Sequence, residues 1–325
     1  MKSYKIVVTN PIHREVFDRL EQFGQVVMNP SLEPWSQQEL TNNLIGATAM
    51  MGFMTDCVDK DLLQNTPDLK IVACALKGFD SYDVQACTAR NIWVSIVPDL
   101  LTEPTAELAI GLAISLGRLM RQGDHLVRSQ SFTGWRAQLF GTGLNQSVVS
   151  ILGLGLVGQA IAQRLAGFGC KSIFGVDPTR SVAGISSVSL EDALAIADYL
   201  FVAVPLTERS VSLLSYEQLS LCKKGQLVIN VGRGSVVNEG AVADALEKGH
   251  LAGYAADVFA FEDWGLNNRP KEIDPKLLKH PNTVFTPHIG SAVKSVRLAI
   301  EHRAADNIIA VLRGRSPPDA INVIS

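Results

Sequence analysis

The stretch that decides the fold of this 325-residue chain is Val148-Val149-Ser150-Ile151-Leu152-Gly153-Leu154-Gly155-Leu156-Val157-Gly158. Its mostly apolar first half predicts a buried strand, and its Gly-x-Gly-x-x-Gly half leads into a helical pattern over residues 159–168. A second predicted strand, Ser172–Val176, ends at Asp177, 19 residues after Gly158. This combination predicts a dinucleotide-binding βαβ unit of the Rossmann type.

The three glycines of the turn have separate predicted roles. Gly153 permits the tight turn, Gly155 lets the backbone approach a pyrophosphate, and Gly158 lets the helix pack closely on the strand. The pyrophosphate is expected at the start of the helix, in a segment that includes Leu156 and Val157. Free backbone N–H groups of that segment point at it. The alternative is an ordinary glycine-rich turn, which the strand, helix and acidic residue around it make the weaker interpretation.

Asp177 is the predicted determinant of cofactor choice. Its carboxylate is expected to accept hydrogen bonds from the ribose hydroxyl groups and to repel a 2′-phosphate, which favours NAD over NADP. Arg180 lies three residues further on, and its positive charge weakens that preference. NAD is therefore the predicted cofactor, with the degree of NADP tolerance left open.

Composition and charge narrow the class of protein. Hydrophobic residues make up 47% of the chain, which excludes intrinsic disorder, and a net charge of -3 without a basic cluster argues against a nucleic-acid partner. No signal-peptide pattern precedes the first strand-like run, and the longest apolar stretch is too short to cross a bilayer. Five cysteines without a CxxC pair favour reduced thiols over disulfides or a metal site. We expect a cytoplasmic protein with no membrane partner.

Strand-like apolar runs alternate with helical patterns from one end of the chain to the other. In the first part, strands are predicted at 5–9, 25–28, 48–54, 70–75 and 92–96, and helices at 12–22, 39–44 and 84–90. After a proline-flanked segment at 98–104, a long helix is predicted over 105–122, and a final helix over 296–313. This alternation predicts an α/β fold with two doubly wound parallel-sheet domains.

Three side chains suited to chemistry each follow a predicted strand. These are Arg233, Glu262 and His288, and ligands of open α/β sheets bind at the carboxyl ends of strands. A histidine oriented by a carboxylate is suited to general acid/base catalysis, and an arginine between glycines offers fixed positive charge to an anion. Singly, Arg233 and Glu262 would more often be structural, whereas the position of His288 after a strand already favours a functional role. Their shared position favours a catalytic site.

The order of these motifs resembles that of the D-2-hydroxyacid dehydrogenase family over nearly the whole chain. The matching stretches include 204–207, 230–234, 256–259 and 286–288. The resemblance implies that Arg233, Glu262 and His288 are the catalytic residues and that Asp257 lies near the nicotinamide amide. It also implies a Rossmann NAD-binding domain, at 101–290, inserted into a smaller flavodoxin-like substrate domain formed by 1–100 and 291–325.

Longer stretches resemble the phosphite-oxidising members of that family. They cover 49–54, 74–80, 97–102, 104–113, 141–144, 261–264 and 287–293. The implied substrate-binding residues are Lys77, Arg233, Met54, Gly78, Trp135, Ser291 and Arg297. The implied cofactor contacts beyond the glycine turn come from Lys77, Thr105, Pro205, Val231, Asp257, His288 and Gly290. Two residues depart from the pattern, since Phe140 stands where a tyrosine is expected and Asp177 where a glutamate is expected.

The charge of the predicted site supports phosphite as the substrate. Phosphite carries up to two negative charges near neutral pH and a hydroxyacid carries one, and Lys77, Arg233 and Arg297 together match the larger charge. Hydroxyacid members usually lack a lysine at the Lys77 position and carry a proline in place of Asp263. We therefore expect oxidation of phosphite to phosphate, with hydride transfer to NAD, attack of water on phosphorus and His288 as the base.

Two other functions fit the same fold. One is an ordinary D-2-hydroxyacid dehydrogenase, in which His288 takes the proton of the substrate hydroxyl. The other is an NADH-sensing binding protein, which the complete set of Arg233, Glu262 and His288 makes the weaker interpretation. The resemblance further implies a homodimer whose contacts involve the segment 105–143.

Overall fold

The computed structural model describes residues 4–266 and 268–324. Its contacts divide the chain into two units, the first formed by residues 4–101, 264–266 and 292–324 and the second by residues 102–263 and 268–291. The first passage between the units falls after Leu101, inside the proline-flanked segment. Within the described residues, no helix combines the length and the apolar character that a membrane span needs.

Parallel strands and intervening helices make up both units. The strands are β1 Tyr4–Val8, β2 Gly24–Met28, β3 Ala49–Gly52, β4 Ile71–Cys74, β5 Trp93–Ser95, β6 Val148–Leu152, β7 Ser172–Val176, β8 Ser186–Ser187, β9 Tyr199–Val202, β10 Gln226–Asn230, β11 Leu251–Ala256 and β12 Thr283–Phe285. The helices are α1 Arg14–Glu21, α2 Gln37–Leu44, α3 Lys60–Gln64, α4 Val84–Ala89, α5 Thr102–Gly117, α6 Met120–Arg128, α7 Leu156–Leu165, α8 Leu190–Ile196, α9 Tyr216–Ser220, α10 Glu239–Glu247, α11 Pro275–Lys279 and α12 Lys294–Leu312. The α/β fold class with two parallel-sheet domains is confirmed.

The first unit has its strands in the order β2-β1-β3-β4-β5, which is the flavodoxin-like order. Its core is formed by strand residues that are buried on both faces of the sheet, as a parallel sheet requires. The C-terminal helix α12 contributes Ile300, Ala304 and Ile308 to this same core. A core of the first unit therefore depends on residues from both ends of the chain.

Side-chain caps fix where the helices α2, α3 and α4 of the first unit begin. Ser36 accepts a hydrogen bond from the backbone N–H of Glu39, whose carboxylate in turn accepts from the backbone N–H of Ser36. Asp59 and Asp83 accept from backbone N–H groups in the first turns of α3 and α4. These caps satisfy N–H groups that have no partner inside the helix.

The second unit has the strand order β12-β11-β10-β9-β6-β7-β8, with every pair parallel. Two apolar cores cover its two faces, one around α5 and α7 and the other around α8 and α10. The order of strands reverses between β6 and β9, because β7 lies on one side of β6 and β9 on the other. This is the topological switch point at which doubly wound folds bind their ligands.

The long helix predicted over 105–122 is in fact two helices, and the prediction of one continuous helix was wrong. The break falls at Leu119, whose φ of +53° lies in the left-handed region. Gly117 precedes the break, and a Cβ there would lie 2.1 Å from the Tyr199 hydroxyl. The backbone N–H of Thr142 donates to the Gly117 carbonyl at 2.8 Å, so a distant segment closes on the end of α5.

Candidate active site

The glycine turn after β6 is shaped by close backbone contacts. Gly153 has a φ of +90°, and a Cβ on it would lie 2.8 Å from the carbonyl oxygen of Ala203. A Cβ on Gly158 would lie 1.9 Å from the Gly153 carbonyl oxygen. Gly155 is the residue that precedes α7, so the free N–H groups of the first helical turn follow it directly. This cradle of bare backbone at a helix start fits the pyrophosphate of a dinucleotide.

Asp177 closes the turn from the end of β7. Its carboxylate accepts hydrogen bonds from the backbone N–H of Leu154 at 2.9 Å, of Thr179 at 2.9 Å and of Arg180 at 3.0 Å. Burial raises the pKa of Asp177, but these hydrogen bonds outweigh it and leave the pKa below its ordinary value. A Cβ on Gly155 would lie 3.3 Å from the Arg180 guanidinium, so a positive charge stands beside the turn.

Asp257 organises the loop that carries His288. Its Oδ1 accepts from the Thr286 hydroxyl at 2.6 Å and from the Ile289 backbone N–H at 2.8 Å, and its Oδ2 accepts from the Gly290 N–H at 2.8 Å. The backbone N–H of His288 donates to the Asp257 carbonyl at 2.8 Å. Burial raises the pKa of Asp257 above its ordinary value, although these bonds and His288 oppose the shift.

His288 and Glu262 form a close pair. The His288 Nδ1 lies 3.0 Å from Glu262 Oε2, while Glu262 Oε1 accepts from the Phe259 backbone N–H at 2.8 Å. A carboxylate only accepts, so Nδ1 is assigned as the donor and Nε2 as the acceptor of the neutral ring. His288 has a φ of +53°, which its fixed loop imposes. Nε2 is therefore the basic nitrogen of the ring, and Glu262 holds the ring through Nδ1.

Arg233 lies in the neighbouring loop, after β10. A Cβ on Gly234 would lie 1.8 Å from the Phe259 carbonyl carbon, so the loops after β10 and β11 are in direct backbone contact. The Asp263 carboxylate, from the second of these loops, accepts from the Ser235 backbone N–H at 2.6 Å. The structure thus brings the segment of Arg233 beside the segment of Glu262. Sequence reasoning used Asp263 only to distinguish the phosphite-oxidising members of the family from the hydroxyacid members, and it missed this hydrogen bond.

The predicted substrate residues of the first unit gather at adjacent strand ends. Met54 follows β3 and Lys77 with Gly78 follows β4, and the two loops are joined by the hydrogen bond from the Ala75 N–H to the Gly52 carbonyl at 2.9 Å. From α12, the Arg297 guanidinium lies over the Phe53 ring, 5.7 Å from its centroid. Burial lowers the pKa of Arg297, and the charge of Glu301 opposes this shift.

The remaining predicted residues lie at several places in the second unit. Thr105 is in α5, and a Cβ on Gly290 would lie 3.0 Å from its hydroxyl. Pro205 follows β9, and Val231 follows β10 as a buried residue. The chain around Trp135 and Phe140 is irregular, and both side chains are 82% exposed.

Comparison with known proteins identifies the family. The model of the D-isomer specific 2-hydroxyacid dehydrogenase NAD binding domain matches residues 110–290. The chain belongs to the D-isomer specific 2-hydroxyacid dehydrogenase family. It is 33% identical over 329 residues to the glyoxylate reductase of Thermococcus litoralis, which covers 98% of this chain and 96% of the relative. It is 32% identical to glyoxylate/hydroxypyruvate reductase B of Serratia proteamaculans, over 98% of this chain and 97% of the relative.

Two solved structures extend this comparison. The TT0316 protein from Thermus thermophilus has a TM-score of 0.91 and 31% identity, covering 98% of this chain and 100% of that one. The NADPH-dependent glyoxylate/hydroxypyruvate reductase of Sinorhizobium meliloti, in complex with NADP and malonate, has a TM-score of 0.84 and 29% identity, covering 98% and 97%. This member of the dehydrogenase family is an oxidoreductase with the family's NAD-binding domain.

The comparisons narrow the sequence-based prediction of function. The predicted family, the Rossmann NAD-binding domain and the cofactor NAD are confirmed. The relatives are named as glyoxylate or hydroxypyruvate reductases, which supports the alternative of a D-2-hydroxyacid dehydrogenase better than phosphite oxidation. When bound, NAD would supply a nicotinamide ring able to exchange hydride with the substrate.

Asp56 is a buried residue of this dehydrogenase that sequence reasoning missed. Its Oδ2 accepts from the Thr9 hydroxyl at 2.5 Å and from the Phe53 backbone N–H at 2.6 Å. The carboxylate therefore ties the loop that carries Met54 to the end of β1. Burial raises the pKa of Asp56 to about 6, against the effect of both hydrogen bonds.

The Asp56→Asn variant is expected to change how stability depends on pH. A pKa raised in the folded state means that the folded protein holds the proton more tightly, so the contribution of Asp56 is complete below about pH 4 and is lost as the pH rises to about 6. A pKa shift of this size corresponds to a change of about 3 kcal/mol in the free energy of unfolding. Denaturant unfolding at several pH values should show this loss in the wild-type protein and not in Asp56→Asn. The exposed Asp68→Asn should behave as wild type, and an unchanged slope in Asp56→Asn contradicts the assignment.

Proposed function

We propose that this dehydrogenase interconverts a small D-2-hydroxyacid and its 2-oxoacid, of the glyoxylate or hydroxypyruvate class, with NAD. The His288–Glu262 pair carries this proposal, because a ring held through Nδ1 at 3.0 Å leaves Nε2 for a substrate proton. In oxidation His288 takes the proton of the substrate hydroxyl, and in reduction it returns that proton. Glu262 fixes the ring and balances the charge that His288 gains.

Anion binding is the second part of the proposal. Arg233 supplies a fixed positive charge beside the Glu262 segment and pairs with the substrate carboxylate. Substrate contacts from the remaining predicted residues, which are Lys77, Met54, Gly78, Trp135, Ser291 and Arg297, complete the proposed site. Asp257, through the loop that it holds, positions His288 and is proposed to lie near the nicotinamide amide.

The glycine turn and its neighbours form the proposed cofactor site. Gly153, Gly155 and Gly158 keep the backbone bare where the pyrophosphate binds, and Asp177 receives the ribose hydroxyl groups. The position of Arg180 beside Gly155 supports some binding of NADP, because a guanidinium is a suitable partner for a 2′-phosphate. The proposed contacts also include Leu156, Val157, Thr105, Pro205, Val231 and Gly290.

Phosphite oxidation, the activity of phosphonate dehydrogenases, is the second candidate. The observation that favours it is the presence of Lys77 and Arg297 at one end of the first unit, since a dianion needs more positive charge than a monocarboxylate. In that reaction the P–H hydrogen leaves as hydride to NAD, a water oxygen bonds to phosphorus, and His288 takes the water proton. The presence of Asp263 after Glu262, in place of the proline of hydroxyacid members, is a second feature that favours phosphite oxidation.

We also propose a homodimer, and the observation that supports it is a group of exposed apolar side chains. Phe132, Trp135 and Phe140 are large apolar side chains that are all exposed in the single chain, in the irregular segment after α6. Apolar side chains concentrated in one exposed segment mark an interaction surface. We propose that a second copy of the chain covers them.

A substrate panel tests the function directly. Purified protein with NAD or NADP is mixed with phosphite, glycolate, D-glycerate or D-lactate, and with NADH or NADPH and glyoxylate or hydroxypyruvate, while absorbance at the reduced nicotinamide band is followed. Turnover of hydroxyacids and oxoacids, with none of phosphite, is the result that the first proposal predicts. Turnover of phosphite alone supports the second. Silence with every substrate despite NADH binding overturns both and favours a sensing protein.

Lys77→Met tests the role of Lys77 in the second candidate. If phosphite is the substrate, kcat/KM for it should fall by about 10²-fold, because a charge that holds the dianion in the transition state is lost. The control is Lys70→Met, an exposed lysine just before β4, which should leave the rate unchanged. An unchanged phosphite rate in Lys77→Met removes Lys77 from the site.

A further inference from the structure

The first unit contains a cavity of about 270 Å³ that four arginine side chains line. Arg19 comes from α1, Arg303 from α12, and Arg313 and Arg315 from the end of α12 and the turn after it. The cavity, here called the arginine cavity, takes the rest of its lining from Asp306, Ile309, Ala310 and Pro318. None of these residues belongs to the proposed active site.

Helical spacing explains why these groups converge. Arg303, Asp306, Ala310 and Arg313 follow one another at intervals of three or four residues, which places them along one face of α12. Helix α1 packs against α12, and Arg19 approaches that face through its ion pair with Asp306. The cavity is therefore built by two helices and a turn, and not by one loop.

The charges around the arginine cavity are not balanced. Arg19 pairs with Asp306, and Arg303 makes two hydrogen bonds of 2.6 Å to Asp319. In the part of the chain that the structure describes, neither Arg313 nor Arg315 has a carboxylate oxygen within 4 Å. Two of the four guanidinium groups thus lack a protein anion.

The other interactions of these side chains involve an aromatic ring, a histidine and one more distant carboxylate. The Arg313 guanidinium lies over the Phe23 ring, 5.1 Å from its centroid. Arg19 also approaches His302 at 3.5 Å, and His302 in turn faces Glu15 at 3.3 Å. Asp99 acts on Arg303 at longer range.

A structural role alone explains only part of the cluster. Cations near the C-terminus of a helix interact favourably with its dipole, and this accounts for Arg313 and Arg315 at the end of α12. It does not account for Arg19, which reaches the same cavity from α1. Like charges brought together around a concave surface repel one another unless an anion lies between them.

We propose that the arginine cavity binds a compact polyvalent phosphate-type anion. Guanidinium forks match phosphate oxygens in pairs, and a space of about 270 Å³ lies just below the usual range of small-molecule sites. That size admits an inorganic phosphate or a diphosphate group. The anion is either free or the diphosphate part of a nucleotide, and both present the same chemistry to the arginines. This proposal is independent of the substrate of the enzyme.

Calorimetric titration with inorganic pyrophosphate tests the proposal, at fixed ionic strength and without divalent cations. Arg315→Gln and the double variant Arg313→Gln/Arg315→Gln are the test proteins, with affinity expected to fall by about tenfold for each guanidinium removed. Arg14→Gln is the matched control, because Arg14 is an exposed arginine of α1 that does not line the cavity. Lys77→Met/Arg233→Gln should retain this binding, which distinguishes it from anion binding at the active site.

A second arm of the experiment identifies the source of the phosphate. Equal affinity for pyrophosphate and ADP supports a site for the diphosphate group alone, and tighter binding of ADP supports a nucleotide. Equal affinity of wild type and Arg315→Gln for pyrophosphate overturns the proposal. So does a wild-type affinity for sulfate that equals the affinity for pyrophosphate, since that result indicates simple charge screening. Because the side chain of Arg315 is exposed and makes no ion pair with the described side chains, we expect its replacement to leave the fold intact.

Discussion

Replacing His288 by asparagine is expected to lower kcat by about 10²- to 10⁴-fold, the contribution of a positioned general acid/base, while NAD still binds. Asparagine is the replacement of choice because the position has a φ of +53°, and asparagine tolerates the left-handed region. The loop should keep its shape, since Asp257 holds it through backbone N–H groups that the substitution leaves in place. Steady-state kinetics with the substrate found in the panel measure the effect.

Two further variants make this result specific to the pair. His125→Asn replaces an exposed histidine of α6 and should leave kcat unchanged. Adding Glu262→Ala to His288→Asn should lower kcat little further, because Glu262 acts through the imidazole and residues that act as a unit are not additive. A His288→Asn enzyme with near-normal kcat, or a large extra loss on removal of Glu262, contradicts the proposed roles.

The Gly158→Ala variant is expected to destabilise the second unit by about 3 kcal/mol and to weaken NAD binding, because overpacking against rigid backbone has few ways to relax. The added Cβ would lie 1.9 Å from the Gly153 carbonyl oxygen, and so it would push α7 away from β6. Moving α7 displaces the N–H groups of its first turn, which are the proposed partners of the pyrophosphate. Denaturant unfolding and titration with NAD measure the two effects.

Gly167→Ala is the matched control for this prediction. Gly167 lies in the 3₁₀ turn that follows α7, and a Cβ there would have no heavy atom within 4 Å. The same chemical change should therefore leave both stability and NAD binding close to wild type. Equal effects of the two substitutions would show that the close contact of α7 with the glycine turn is unimportant.

The sequence predicted those parts of the fold that depend on local pattern. The strand β7 falls at the predicted residues, and the turn from Gly153 to Gly158 stands between a strand and a helix as expected. Strands of continuous apolar residues can be recognised in the sequence because both faces of a parallel sheet are buried. The end of α5 could not be predicted in this way, since it depends on a contact between Gly117 and Tyr199 across a long span of sequence.

The same limit applies to the candidate site. The pairing of Glu262 with His288 was foreseen because each follows a strand and parallel strands end at one edge. Asp56 and Asp263 were not, because their roles consist of hydrogen bonds to the side chain of Thr9 and to the backbone of Ser235. In the sequence, Asp56 and Asp263 look like any other acidic residue of a loop. Their burial, which only the structure shows, distinguishes them from exposed acidic residues.

The place of α12 in the first core has a consequence for the order of folding during synthesis. Ile300, Ala304 and Ile308 pack in a core whose strands were made about 200 residues earlier, so ribosomal synthesis delivers the sheet long before the helix that covers it. The second unit, by contrast, is nearly continuous in sequence and is complete by Ser291. We expect the inserted unit to fold first on the ribosome, with the apolar face of the nascent N-terminal sheet left for chaperones to protect until α12 emerges.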